Sequence, residues 1–88
     1  MNNKEIFSRI KAAASDGNNQ AAQYVLGLCY WYGIGIESNR YQAFEWYNTA
    51  AAAGFEPAQQ MLKFDPRMKR VILQSQFSKD IVKIYYST

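Results

Sequence analysis

Apolar positions recur every three or four residues through most of this chain, and glycine, asparagine or proline interrupts them at intervals. Ile6, Phe7, Ile10, Ala13 and Ala14 form one stripe and predict a helix over residues 3–15, stopped by Asp16-Gly17-Asn18-Asn19. Ala22, Val25, Leu26, Cys29 and Tyr30 predict a second helix over residues 20–32, with that set as its packed face. Gly27 inside it costs ~1 kcal/mol relative to Ala and points to a neighbouring helix at close range. Gly33-Ile34-Gly35 breaks the helix, and Ile36 is expected to fold back on its last turn. Asn39 and Gln42 stand at capping-box spacing and open a third helix that runs to Ala53. Ala43, Tyr47, Ala50 and Ala51 share its inner face, with Phe44 and Trp46 at the edges. Gly54 ends it, and Pro57 suits the first turn of a fourth helix over residues 57–64. Asp65-Pro66 stops that helix and can start another. Beyond it, Leu73, Phe77, Ile81 and Ile84 or Tyr85 keep a helical spacing, in one helix or two broken at Ser78, although residues 81–86 are also β-prone.

The pattern repeats. Ala22-Gln23 and Leu26 return as Ala58-Gln59 and Leu62 at an offset of 36, and Phe7, Ile10 and Ala13 return as Phe44, Tyr47 and Ala50 at 37. The chain therefore reads as half a unit, one whole unit over residues 22–59, half a unit, and a divergent tail.

The whole unit carries Leu26-Gly27, Tyr30, Gly33-Ile34-Gly35-Ile36, Asn39, Gln42-Ala43, Trp46-Tyr47, Thr49-Ala50-Ala51, Gly54 and Ala58-Gln59. At this spacing it resembles the Sel-one-like repeats (SLR), relatives of the tetratricopeptide repeats. The departures from that family's pattern are Ile36 for Val, Asn39 for Asp, Gln42 for Lys and Thr49 for Lys, and Lys63 stands where a second Leu-Gly would end in glycine. The resemblance covers residues 5–64. It implies an all-α fold, a short α-solenoid of antiparallel helix pairs with one complete repeat plus partial repeats. It also implies a scaffold or adaptor role, with partners held on the side lined by the first helix of each pair. Residues 1–88 then form a single domain: repeat-like helices over 5–64 and a divergent basic C-terminal helical cap over 65–88. About three repeats are usually needed for stability, so the tail must cap the stack, or a second copy or a partner must complete it.

Composition narrows the function. Hydrophobic residues make up 49% of the chain and aromatic residues 16%, enough for a core with aromatics to spare. Residues 63–88 hold six Lys or Arg against two Asp, while residues 1–62 hold four against five acids, so the basic character belongs to the tail. The lone Cys29 allows no internal disulfide and fits a reducing compartment. No apolar run approaches ~20 residues and the start is charged, so a cytoplasmic location is expected, with no membrane partner. There is no histidine, the serines lie in no nucleophile-elbow context, and Gly33-Ile34-Gly35 lacks the surroundings of a phosphate loop. No catalytic residue, metal or cofactor is expected, and the chain reads as a non-enzyme.

With Ala22, Leu26, Gly27 and Tyr30 inward, the residues one step round the second helix are Tyr24, Leu28, Trp31 and Tyr32. With Gln60 and Phe64 on the fourth helix they make a candidate partner-binding groove, because aromatics give large contact area at low entropy cost. The competing reading is that the tail folds over them and makes them core. Arg67, Lys69 and Arg70 are a second candidate, for an anion. A protein partner is the leading expectation, met by a small adaptor or a stoichiometric inhibitor of the kind that phage-encoded and immunity proteins supply. Nucleic acid is disfavoured because the basic field is small, and self-association as a homodimer is a third reading.

Overall fold

The computed structural model describes residues 1–74, and their side chains through Val71. Five helices follow one another: α1 (Asn3–Ser15), α2 (Gln20–Tyr32), α3 (Arg40–Ala52), α4 (Glu56–Phe64) and α5 (Pro66–Gln74). Each packs on the next, and α5 also reaches α3. The stack is thus a row of helix pairs, as in a short helical repeat, with α5 the last helix among the described residues. The spacing of Phe77, Ile81, Ile84 and Tyr85 lies outside the described residues, as does the side chain of Leu73.

Local chemistry sets the helix ends. Asn2, Asn19 and Asn39 each accept backbone N–H groups that the first turn of a helix leaves unpaired. Asn39 takes two, from Tyr41 and Gln42, both at 3.1 Å. The capping box expected here is only half formed. The Asn39 N–H, which Gln42 would have bonded, donates instead to the Tyr30 carbonyl at 2.8 Å and ties the loop back to α2. Gly33 and Gly54 close α2 and α3 with positive φ, and the next N–H reaches back five residues: Ile34 to Cys29 at 2.9 Å and Phe55 to Ala50 at 3.0 Å. The residue that folds back after Gly33 is Ile34, packed against the cluster that joins α1 to α2, whereas Ile36 is exposed. The bonded residue is the one in position to fold inward, which corrects the expectation for Ile36.

Two buried clusters hold the stack together. Phe7, Ala14, Leu26 and Cys29 join α1 to α2, with the Tyr30 ring edge-on to Phe7 at 5.5 Å. The larger cluster joins α2 through α5: Trp31, Ala43, Phe44, Tyr47, Ala50, Ala51, Ala58, Leu62, Met68 and Val71. Phe44 is fully buried there and is no edge residue. Val25, expected on the packed face of α2, is 37% exposed. Helix α2 is buried on two sides, by α1 and by α3, and Val25 falls outside both. Full burial of one large side chain contributes ~1.5–3 kcal/mol, so Leu26, Phe44, Tyr47 and Leu62 are the main anchors.

The repeated Ala-Gln phrase proves to be a repeated hydrogen bond. Gln23 Nε2 donates to the Ala14 carbonyl at 3.4 Å, and Gln59 Nε2 donates to the Ala51 carbonyl at 2.9 Å. In each case the first helix of a pair binds a carbonyl in the last turn of the helix before it, and at Ala51 that carbonyl also accepts the Gly54 N–H at 3.0 Å. The alanine beside each glutamine keeps the two backbones close, and Ala58 is wholly buried.

Candidate functional site

The side chains proposed for the groove divide between core and surface. Leu28 and Tyr24 are half-buried and pack on the large cluster. The Tyr24 ring lies 5.6 Å from that of Tyr47 and 5.5 Å from that of Phe55. Burial first, and the neighbouring Tyr32 hydroxyl second, push the Tyr24 phenol up from its ordinary value, so it stays neutral and available as a donor. Tyr32 is 60% exposed and Phe64 67% exposed, and Gln60 is exposed as well.

Trp31 is different. It is only 6% exposed and belongs to the core cluster. The Arg40 guanidinium lies 4.8 Å from the ring centroid and that of Arg67 lies 5.4 Å away. The expectation of an open Trp31 in the groove is therefore corrected: helix α5 brings Arg67, and the start of α3 brings Arg40, over the indole. Two such contacts contribute ~0.5–2 kcal/mol each. Trp31 is the floor of the region, and Tyr32 is the aromatic that α2 leaves at its surface.

The basic residues are also rearranged. Arg67 is the second residue of α5. Its backbone N–H donates to Asp65 Oδ1 at 2.9 Å, and its guanidinium donates to Asp65 Oδ2 at 2.8 Å. This cap and ion pair hold the Asp65 carboxyl below its ordinary value, the side-chain hydrogen bond from Arg67 being the main cause. The same bonds raise the Arg67 value, with the Tyr32 hydroxyl acting second. Tyr24, Tyr32, Asp65 and Arg67 thus share one neighbourhood where α2 ends and α4 gives way to α5. Arg70 joins Arg67 around a shallow pocket of about 90 Å³, with Arg40, Tyr41 and Val71 as the other walls. Lys69 is exposed and does not line it. Arg40 was missed in the sequence because it stands 27 positions before Arg67. The available signal was positional: both arginines follow a helix-capping residue, Asn39 or Asp65, by one or two places.

Cys29 is buried, and burial raises its thiol above the ordinary value, so it is a packing residue. Among the described residues no group of three or more His, Cys, Asp or Glu could hold a metal ion, and no helix is long and apolar enough to cross a membrane.

The family model of the Sel1 repeat matches residues 20–55, which is α2, the glycine loop and α3 up to the start of α4. Among curated proteins, the chain is 43% identical over 51 residues to "DAP3-binding cell death enhancer 1" of Rattus norvegicus, and equally to that of Mus musculus. The matched segment is 58% of this chain and 10% of each relative, so the likeness spans about a tenth of their length. No solved structure gives a significant match.

Proposed function

We propose that this chain is a protein-binding module. It engages its partner by stoichiometric contact, as an adaptor or inhibitor, through Tyr24, Leu28, Tyr32, Gln60 and Phe64 over a floor made by Trp31. The observation that carries this reading is the exposure of Tyr32 at the end of α2, whose hydroxyl meets Arg67 while its ring stays 60% open beside the core. Phe64 at the end of α4 is equally open. Both helices are first members of a pair, the side on which solenoids of this kind hold their partners. Sel1 repeats mediate protein–protein interaction, and the rodent relatives are named for binding DAP3, which makes purified DAP3 a sensible first bait. The reading is of a non-catalytic, cytoplasmic protein.

The test is a binding titration against a purified partner, with Tyr32→Ala and Phe64→Ala combined. Because both side chains are exposed, the variant should melt with the wild type, within ~0.5 kcal/mol. Binding should weaken by ~100-fold or more, as expected of paired aromatic hot spots. Unchanged affinity would remove the groove from consideration. A one-to-one complex in which the partner still binds its own ligand is an adaptor complex, and one in which it cannot is an inhibited complex.

A further inference from the structure

We propose that Arg40, Arg67 and Arg70 form a binding site for an oxyanion, a phosphoryl or carboxylate group. The three arginines, one at the start of α3 and two on α5, line one pocket of about 90 Å³, the scale of a single small anion. Arg67 carries the one ion pair found among the described residues, to Asp65 at 2.8 Å. Among the described residues three cations therefore meet one carboxylate at the pocket, and an incoming anion offsets their mutual repulsion. Arg40 and Arg67 do not hang free in solvent. Both lie over the Trp31 ring, at 4.8 and 5.4 Å, and Asp65 grips Arg67 from another side. Asp65 already takes the Nε and terminal donors of Arg67, which leaves Arg40 and Arg70 as the guanidinium groups with donors to offer and Arg67 as added positive charge beside them. Planar forks held in this way suit the paired oxygens of a phosphoryl or carboxylate group better than lysine would.

This pocket is also the clearest difference between sequence and structure in the basic region, because it uses Arg40 in place of Lys69. Trp31 and Arg67 border both the pocket and the aromatic groove, so the two are separated by variants at residues that belong to one alone, Arg40 and Arg70 against Phe64. A nucleic-acid groove is disfavoured. Arg40, Arg67 and Arg70 meet in one pocket and do not track a strand, and Glu37, Glu45 and Glu56 stand exposed on the same repeat unit.

Calorimetric titration of the full chain tests the proposal, with inorganic phosphate, a phosphoserine peptide and the same peptide bearing Glu as probes. Saturable binding is expected, and Arg40→Gln and Arg70→Gln should each weaken it at least ~10-fold, the loss of one charge-assisted contact. Lys69→Gln should change it by less than ~2-fold, because the lysine lies off the pocket. All three side chains are exposed, and matched thermal melts check that the fold is kept. A phosphopeptide that binds more tightly than phosphate assigns the anion to a protein side chain. Equal affinities assign it to a free small anion. Absence of saturable binding by any probe overturns the site. So does a loss in Lys69→Gln as large as in Arg40→Gln, which would mean diffuse charge. Tighter binding of a single-stranded oligonucleotide than of the phosphopeptide would also overturn it.

Discussion

The turn between α2 and α3 and the turn between α4 and α5 connect helix pairs at corresponding places by opposite means. The first uses residues 33–39, with Gly33 and Gly35 both at positive φ. The second uses Asp65 alone. A long turn gives its helices freedom to choose their separation, and α2 and α3 use it to come close. A Cβ at Gly27 would stand 2.5 Å from the Tyr47 ring and 3.2 Å from the Ala43 carbonyl oxygen. A one-residue turn gives no such freedom, so α5 is held by its own start. Asp65 caps the helix and grips Arg67, while Met68 and Val71 bury themselves on α3 and α4. The lesson is that close backbone approach requires loop length as well as small residues. Where the loop is short, side-chain polarity replaces it.

Gly35→Ala should break the first arrangement most severely. Its φ of 73° is costly for any residue with a Cβ, and the new methyl would run into the Asn3 carbonyl and the Phe7 side chain. Strain and overpacking together predict a loss of roughly 3 kcal/mol, measured by urea denaturation. A loss under ~1 kcal/mol would mean that α1 can move away freely and that the long turn is no constraint.

Gly27→Ala comes next. Alanine gains up to ~1 kcal/mol of helix propensity, yet the clash with Tyr47 and the Ala43 carbonyl should outweigh it and leave a net loss of ~2 kcal/mol. A stabilised variant would show that the close approach of α2 and α3 is slack.

The smallest effects sharpen the contrast between the caps. Asn39→Ala and Asp65→Ala should each cost ~1 kcal/mol. Only the second should be sensitive to acid. Arg67 lowers the folded pKa of Asp65, so its contribution is present above the unfolded value, near ~3.9, and is lost as pH falls through the folded value. Thermal melts of the wild type between pH 6 and pH 2 should therefore converge on those of Asp65→Ala, while the gap to Asn39→Ala stays constant. Equal pH profiles for both variants would sink the idea that the short turn is held by charge.

Much of the fold was legible from periodicity. The spans of α1 and α2 coincide with the expected ones, and α3 and α4 differ by one residue at an end. The stripes and their stop signals are local, and local signals fix helix boundaries well. Faces were harder to read. Val25 was assigned to the core and Phe44 to an edge because a single stripe was assumed, whereas α2 and α3 each meet helices on more than one side. The groove divided for the same reason. Tyr24, Leu28 and Trp31 stand at one helical spacing, but α5 and Arg40 cover only part of it.

By itself the sequence determined the helices, their stops and the repeat, because capping, glycine conformation and apolar spacing act within a few residues of chain. It also carried the Ala22-Gln23 and Ala58-Gln59 phrase, although its meaning as a bond to the preceding helix emerged only with the helices side by side. Tertiary structure alone decided that Trp31 is a floor, that Tyr32 stays open, and that Arg40 joins Arg67 and Arg70 while Lys69 does not. Those outcomes depend on which helices meet across distant stretches of sequence. Packing of whole surfaces sets that, and no window of residues contains it.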